Sequence, residues 1–179
     1  MLRTPRRALV IAGAVVLVPV LVVGILVLTA GGRDGAIPFI GGGPLTSGAL
    51  VTGPEPDWSF LGDVETIELQ LLNPPRSRVI WVADHDGKMY VVSGYMGSAI
   101  GRWWKRWPVE AERDGRAVVR IDGRRYERTL VRITDDQEVI DGVSAELARK
   151  YGFPGGIESG DTWLFEVAPR SGGPAGRPR

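Results

Sequence analysis

Hydrophobic positions change their rhythm twice along this chain. From Ala8 to Ala30 they run for 23 residues without a charge. As a helix that run spans ~34 Å, enough to cross the ~30 Å hydrocarbon core of a bilayer. It exceeds the roughly 7–15 residues of a secretory-signal core. Leu28-Thr29-Ala30 is also a poor cleavage site, because a small residue belongs where Leu28 stands. Pro19 and the two glycines inside the run are tolerated in lipid. Arg3, Arg6 and Arg7 precede it, against Arg33 and Asp34 after it, which predicts an uncleaved signal anchor. Residues 1–7 then form a cytoplasmic basic flank and residues 8–30 a single pass through the inner membrane, with everything after it extracytoplasmic or periplasmic. Arg6-Arg7-Ala8-Leu9-Val10 also has the look of a twin-arginine export signal, although the pair serves equally as the positive flank of the anchor.

From Gly31 to Asp57 the chain carries 12 Gly and Pro in 27 residues. So few apolar side chains cannot offset the entropy of ordering, which predicts a linker over 31–57. A second Gly/Pro-rich stretch makes 171–179 a flexible tail, and the folded unit is expected over 58–170.

Within that unit the period is that of short strands. Asp86-Gly87, Asp114-Gly115 and Asp122-Gly123 lie between strand-like runs, a strong hairpin signal. Strands are expected over 64–72, 77–83, 88–93, 109–113, 116–121, 124–134 and 161–168. Val79-Ile80-Trp81-Val82 reads as a strand buried on both faces. Arg120, Arg124, Arg128 and Arg132 among acidic neighbours read as a solvated face with cross-strand pairs. One helix is expected after Thr134-Asp135-Asp136, with Val139, Ile140, Val143, Leu147 and Tyr151 on its apolar stripe and Gly152 as its stop. The fold class is therefore mainly β: a small antiparallel barrel with one or two helices, preceded by a single transmembrane helix.

Composition narrows the chemistry. With no cysteine there is no disulfide scaffold, thiolate zinc site, iron–sulfur cluster or cysteine nucleophile. The single histidine, His85, sits between Asp84 and Asp86 at a hairpin tip and reads as a solvated loop residue, so no metal site is expected. No serine–histidine–aspartate set, phosphate loop or dinucleotide fingerprint occurs. A formal net charge of +1 gives no field for nucleic acid.

The order of pieces resembles a known group. Pro75-Arg76-Ser77-Arg78 leads into Val79-Ile80-Trp81-Val82. A hairpin then gives Lys88-Met89-Tyr90-Val91-Val92-Ser93-Gly94, a tryptophan-rich loop and Pro108-Val109-Glu110-Ala111 follow, and Lys150-Tyr151-Gly152 ends the helix. This resembles the split β-barrel superfamily of flavin-binding proteins, near its deazaflavin-dependent nitroreductase branch and small uncharacterised relatives. The resemblance covers roughly residues 64–170. It implies a cofactor such as FMN or deazaflavin laid along the barrel at a dimer interface, its phosphate held by Arg, Lys, Ser or Thr. Arg76 and Ser77 fall where that branch places a glycine-flanked phosphate turn, and the glycines are absent here.

The segment Ser93 to Pro108 concentrates the remaining candidates. Ser93 and Ser98 with three glycines expose hydroxyls and backbone N–H groups, while Arg102, Lys105 and Arg106 add three cations. Trp103, Trp104 and Trp107 supply walls, and Trp104 would meet a flat ring. The same composition also fits tryptophans in a core under arginine stems, or a belt at a membrane interface. Candidate cofactor-binding residues are thus Arg76, Ser77, Ser93, Ser98, Arg102, Trp104, Lys105 and Arg106, with no catalytic residue identified. Three functions stand: a membrane-anchored barrel binding a small ligand or protein, a flavin- or deazaflavin-dependent nitroreductase-like enzyme, or a structural subunit of a membrane complex. Expected partners are the bilayer through residues 8–30 and a second copy or a membrane-complex subunit.

Overall fold

Period-two alternation and tight turns build an antiparallel half-barrel behind one apolar helix. The computed structural model describes residues 4–37, 40–98, 105–152, 157 and 160–170. Helix α1 spans Thr4–Thr29. The stretch Val10–Gly32 has a mean hydropathy of 3.1 and none of it is buried, so by length and composition it can cross a membrane.

The strands are β1 Ala49–Leu50, β2 Thr66–Leu72, β3 Pro75–Trp81, β4 Ala83–His85, β5 Lys88–Ser93, β6 Arg116–Ile121, β7 Arg124–Ile133 and β8 Trp163–Pro169. They lie side by side in the order β3-β2-β6-β7-β8-β5-β4, and β1 adds a short parallel pair to β7. Helix α2 covers Trp107–Arg113 and α3 covers Gln137–Tyr151. Two of the expected hairpins form. Asp86 and Gly87 have φ of 49° and 69°, Asp122 and Gly123 of 47° and 72°, the left-handed pair that a twisted two-residue turn requires.

The sheet has two apolar faces. Its concave face packs Leu69, Leu71, Val91, Val119, Leu130 and Phe165 against Trp58 and Trp107. The other face, near β4, β5 and β8, packs Tyr90 and Leu164 under Ile140, Val143 and Leu147 of α3. Asp136 caps α3 by accepting from the Val139 N–H at 3.2 Å, and Gly152 at φ 60° ends it.

Four expectations are corrected. Val109 to Arg113 is helix, not strand: Trp107 and Ala111 are buried four residues apart, and Pro108 sits in the first turn, where its missing N–H costs nothing. Asp114-Gly115 accordingly links α2 to β6 and makes no hairpin. β3 is an edge strand with Trp81 exposed, so it is not buried on both faces. His85 stands at the hairpin tip as expected but is not a solvated loop residue: it ends β4, pairs with Lys88 and lies half-buried against the helix at Gly142, where a Cβ would overlap its ring.

The arginine face is the fourth correction, and only in part: Arg124 is exposed and Arg120 makes the expected cross-strand pair with Glu68, whereas Arg128 is buried. Arg128 is only 4% exposed, held by Glu55 and stacked on Trp58 and Tyr126. Arg120 is bound to Glu68 and Asp34, and Arg132 to Glu112. Acidic residues brought from distant segments allow these side chains to leave water.

The Gly/Pro-rich segment 31–57 is tied to the outer face of the sheet. Gly42 pairs with Ser77, Leu45 N–H donates to Gln70 at 2.7 Å, and Val51 N–H donates to Arg125 at 2.8 Å. Its low apolar content is offset by backbone and carboxylate contacts, not by a core of its own.

Candidate functional site

Alternation along β3 puts Arg78 on the concave face, opposite Leu69 of β2. Its guanidinium lies 5.5 Å from the centre of the Trp107 ring, contributed by α2. Among the described residues Arg78 makes no ion pair, and its Nε is buried without a hydrogen bond. Burial, with Arg76 beside it, holds Arg78 down at about 10, against the pull of Glu110. It stays a cation at neutral pH.

A second arginine–tryptophan pair stands nearby. Arg132 of β7 lies 3.5 Å from the centre of the Trp163 ring and is neutralised by Glu112 of α2. The two pairs are joined through Phe165, 5.6 Å from Trp107 and 6.5 Å from Trp163. Helix α2 thus brings Trp107 and Glu110 to one arginine and Glu112 to the other. Among the described residues, the mouth of the half-barrel contains one cation in a salt bridge and one without, which Glu110 influences without direct contact.

Beyond Arg132 an open cleft of about 600 Å³ runs between the end of β7, the start of α3 and the turn before β8. Arg132, Ile133, Ile140, Ile157, Thr162 and Trp163 wall it.

The structure divides the residues singled out in the sequence. Ser77 is consumed: its hydroxyl donates to the Gly43 carbonyl at 2.7 Å and its backbone pairs with Gly42. Arg76 is exposed beside it. Ser93 is 2% exposed, lies opposite Trp163, and its Oγ has no partner among the described residues. Ser98 is exposed. Lys105 sits 5.1 Å over the Tyr95 ring, and burial lowers its pKa despite Asp161. Arg106 is exposed at the start of α2. Arg102 and Trp104 lie outside the described residues.

Ser93 and Lys105 are gathered near the turn before β8, because Met96 N–H donates to the Asp161 carbonyl and Gly97 N–H to its carboxylate at 2.8 Å. Arg76 and Ser77 belong to β3, which is not hydrogen-bonded to β5 but approaches it across the half-barrel. The residues that sequence reasoning missed are Arg78, Arg132 and Trp163. Arg78 was visible as part of the basic turn, but nothing local marks which of its arginines turns inward without a partner.

Lys150-Tyr151 has a structural role. Lys150 Nζ donates to the carbonyls of Leu61, Val64 and Val82 at 2.7, 2.7 and 2.8 Å. Tyr151 stacks on Trp81 at 4.5 Å, and its hydroxyl bonds Glu65 and Val82. Among the described residues no group of His, Asp and Glu gathers to hold a metal.

No protein-family model matches the chain. No curated protein matches it in sequence. Among solved structures, it is similar to a conserved hypothetical protein from Mycobacterium tuberculosis, at 16% identity over 68% of this chain and 82% of that one, with a TM-score of 0.47. A candidate pyridoxamine 5'-phosphate oxidase from Listeria innocua is 11% identical over 63% and 90%, at 0.46. The haem storage protein HutZ of Vibrio cholerae is 13% identical over 63% and 87%, at 0.44.

Proposed function

We propose that this chain is a membrane-anchored binding protein whose extracytoplasmic half-barrel takes a small anionic ligand at Arg78. The observation that carries this reading is that this guanidinium makes no salt bridge among the described residues. A buried charge without a partner is costly, and arginine cannot escape by losing its proton near neutral pH. Arg120, Arg128 and Arg132 each make a salt bridge, and among the described residues Arg78 alone of these four makes none, Glu110 acting on it only without direct contact. A phosphate or carboxylate at Arg78 would supply the missing counter-charge through charge-assisted hydrogen bonds. Arg3, Arg6 and Arg7, before the apolar run that starts at Ala8, support the extracytoplasmic placement.

FMN and deazaflavin belong to this ligand class through their phosphates. The fit is partial: Arg78 is available to a phosphate, whereas the Ser77 hydroxyl and backbone are already taken by Gly42 and Gly43. Arg78 would hold such a group by charge, with Trp107 closing one face of the guanidinium. When bound, a flavin would supply redox chemistry. Among the described residues the side chains at the mouth offer charge and stacking, which supports binding.

The test uses the full chain in detergent micelles. Its visible spectrum is recorded as purified, and tryptophan fluorescence is followed against inorganic phosphate, FMN and riboflavin, which lacks the phosphate. Saturable binding of phosphate or FMN that is lost in Arg78→Gln, with riboflavin weaker, is the expected result. No anion binding, or equal binding by Arg78→Gln, would overturn it. A flavin band in the purified protein would instead favour the oxidoreductase.

A further inference from the structure

Helix α2 carries two acids toward the mouth and seats them differently. Glu112 closes on Arg132 as a salt bridge. Glu110, two residues earlier, is half-buried and makes no salt bridge among the described residues, although its charge reaches Arg78. Glu110 follows Trp107 by three residues, so the two stand on one face of α2. The Arg78 guanidinium lies 5.5 Å from the centre of the Trp107 ring, and that face of the helix is therefore turned to β3. Arg106 and Arg113, a turn to either side of Glu110, are exposed and do not pair with it among the described residues.

On the strand side, alternation sets Arg76 and Arg78 on one face of β3, opposite Leu71 and Leu69. Arg76 is exposed and Arg78 is half-buried, and neither makes a salt bridge among the described residues. A cation on the strand and a carboxylate on the helix thus face each other without touching. Elsewhere in this fold such pairs close: Arg120 meets Glu68 at 2.6 Å and Arg128 meets Glu55 at 2.6 Å. Opposite charges partly withdrawn from water, each without a direct partner, are both costly. A simple anion would satisfy Arg78 and at the same time be set against Glu110. A molecule carrying both signs would satisfy the two at once.

We propose that the ligand of the Arg78 site is a small zwitterion, a primary ammonium joined by a short chain to a carboxylate or phosphate. Its anionic end lies against β3 beside Arg76 and Arg78, and its ammonium donates to Glu110 on α2. Glu110 is in this arrangement the residue that selects, favouring ligands with an ammonium and opposing plain anions. This deepens the reading of Arg78 as an anion site and rests on it.

The test is isothermal titration calorimetry on the full chain in detergent micelles at neutral pH, with β-alanine, butyrate and inorganic phosphate. β-Alanine and butyrate match in length and differ in an ammonium against a methyl group. The expected result is β-alanine binding at least about tenfold tighter than butyrate, with phosphate competing for the same site. Glu110→Gln should remove that preference and tighten butyrate and phosphate several-fold, an inversion that lost packing does not produce. Glu110→Asp, which keeps the charge, should keep the preference, and Arg78→Gln should abolish binding of all three. Thermal unfolding checks that each variant remains folded. Butyrate and phosphate binding that is lost in Arg78→Gln, with β-alanine no tighter or with a preference unchanged in Glu110→Gln, overturns the zwitterion and leaves the anion site. Absence of binding by all three overturns the anion site and the zwitterion with it.

Discussion

Glu55 bridges two aromatic-bound groups, accepting from Arg128 Nη1 at 2.6 Å and from the Trp58 indole N–H at 2.5 Å. Arg128 is buried in the concave face and Glu55 lies on the segment that precedes it, so this carboxylate fastens the approach segment to the core. Removing one member of a buried pair leaves the other charge without compensation. Glu55→Gln is expected to cost ~2–3 kcal/mol, somewhat below the fully buried case because Glu55 is partly in water. Chemical denaturation of the full chain in micelles measures it. A loss under about 0.5 kcal/mol, the range of ordinary surface substitutions, would show that the bridge holds nothing.

The hairpins at Asp86-Gly87 and Asp122-Gly123 were legible because the conformation they need is written in the two residues themselves. Helix α3 was legible for the same kind of reason, since Asp136, the apolar stripe and Gly152 are all local signals. Helix α2 was not: Val109 and Ala111 satisfy a period of two, and only the burial of Trp107 with Ala111 selects a helix. The docked course of 31–57 was hidden because its partners, Gln70, Ser77, Arg120 and Arg125, are remote in sequence. The surroundings of Arg78 were hidden for the same reason. The cationic character of residues 76–78 was evident, but which cation lacks a carboxylate depends on where Glu55, Glu68, Glu110 and Glu112 end up. Lys150-Tyr151, read as a mark of resemblance, turned out to bind the backbone of residues 61–65 and 82.

Asp114 gives a pH dependence with a definite sign. Hydrogen bonding from the Arg116 side chain leads the causes that bring its pKa from 3.8 to about 2. A carboxylate lowered on folding adds stability that is fully present above the unfolded value. That contribution is lost as pH falls from 3.8 through about 2. Asp114→Asn should flatten part of the acid limb by lowering stability modestly at neutral pH and meeting the wild type at the acid end, a small effect because Arg116 is mostly exposed. Identical acid limbs for the two proteins would remove Asp114 from the titration.

Gly142 and His85 make a paired prediction. Alanine in mid-helix is worth ~1 kcal/mol over glycine, yet a Cβ at 142 meets the His85 ring. Gly142→Ala alone is expected to destabilise by pushing His85 out of its place at the end of β4. His85→Ala with Gly142→Ala should restore stability relative to Gly142→Ala. The measurement is a double-mutant cycle by denaturation. Additive effects would mean that the ring moves aside freely.

Arg78 sets binding against stability. Replacing a buried charge by an apolar residue of similar length removes a desolvation cost, so Arg78→Met should raise the stability of the ligand-free protein by ~1–4 kcal/mol. Burial lowers its guanidinium from the ordinary arginine range to about 10 on folding. The unfolded chain therefore binds more protons between those values, and wild-type stability should rise with pH through that window while the Arg78→Met protein lacks the rise. The same substitution should abolish saturable phosphate or FMN binding. Greater stability with lost binding is what a cation kept for a ligand produces. Lower stability would mean that Arg78 holds Trp107 and α2 in place, since the packing of its stem and its cation–π contact would then outweigh the burial of its charge.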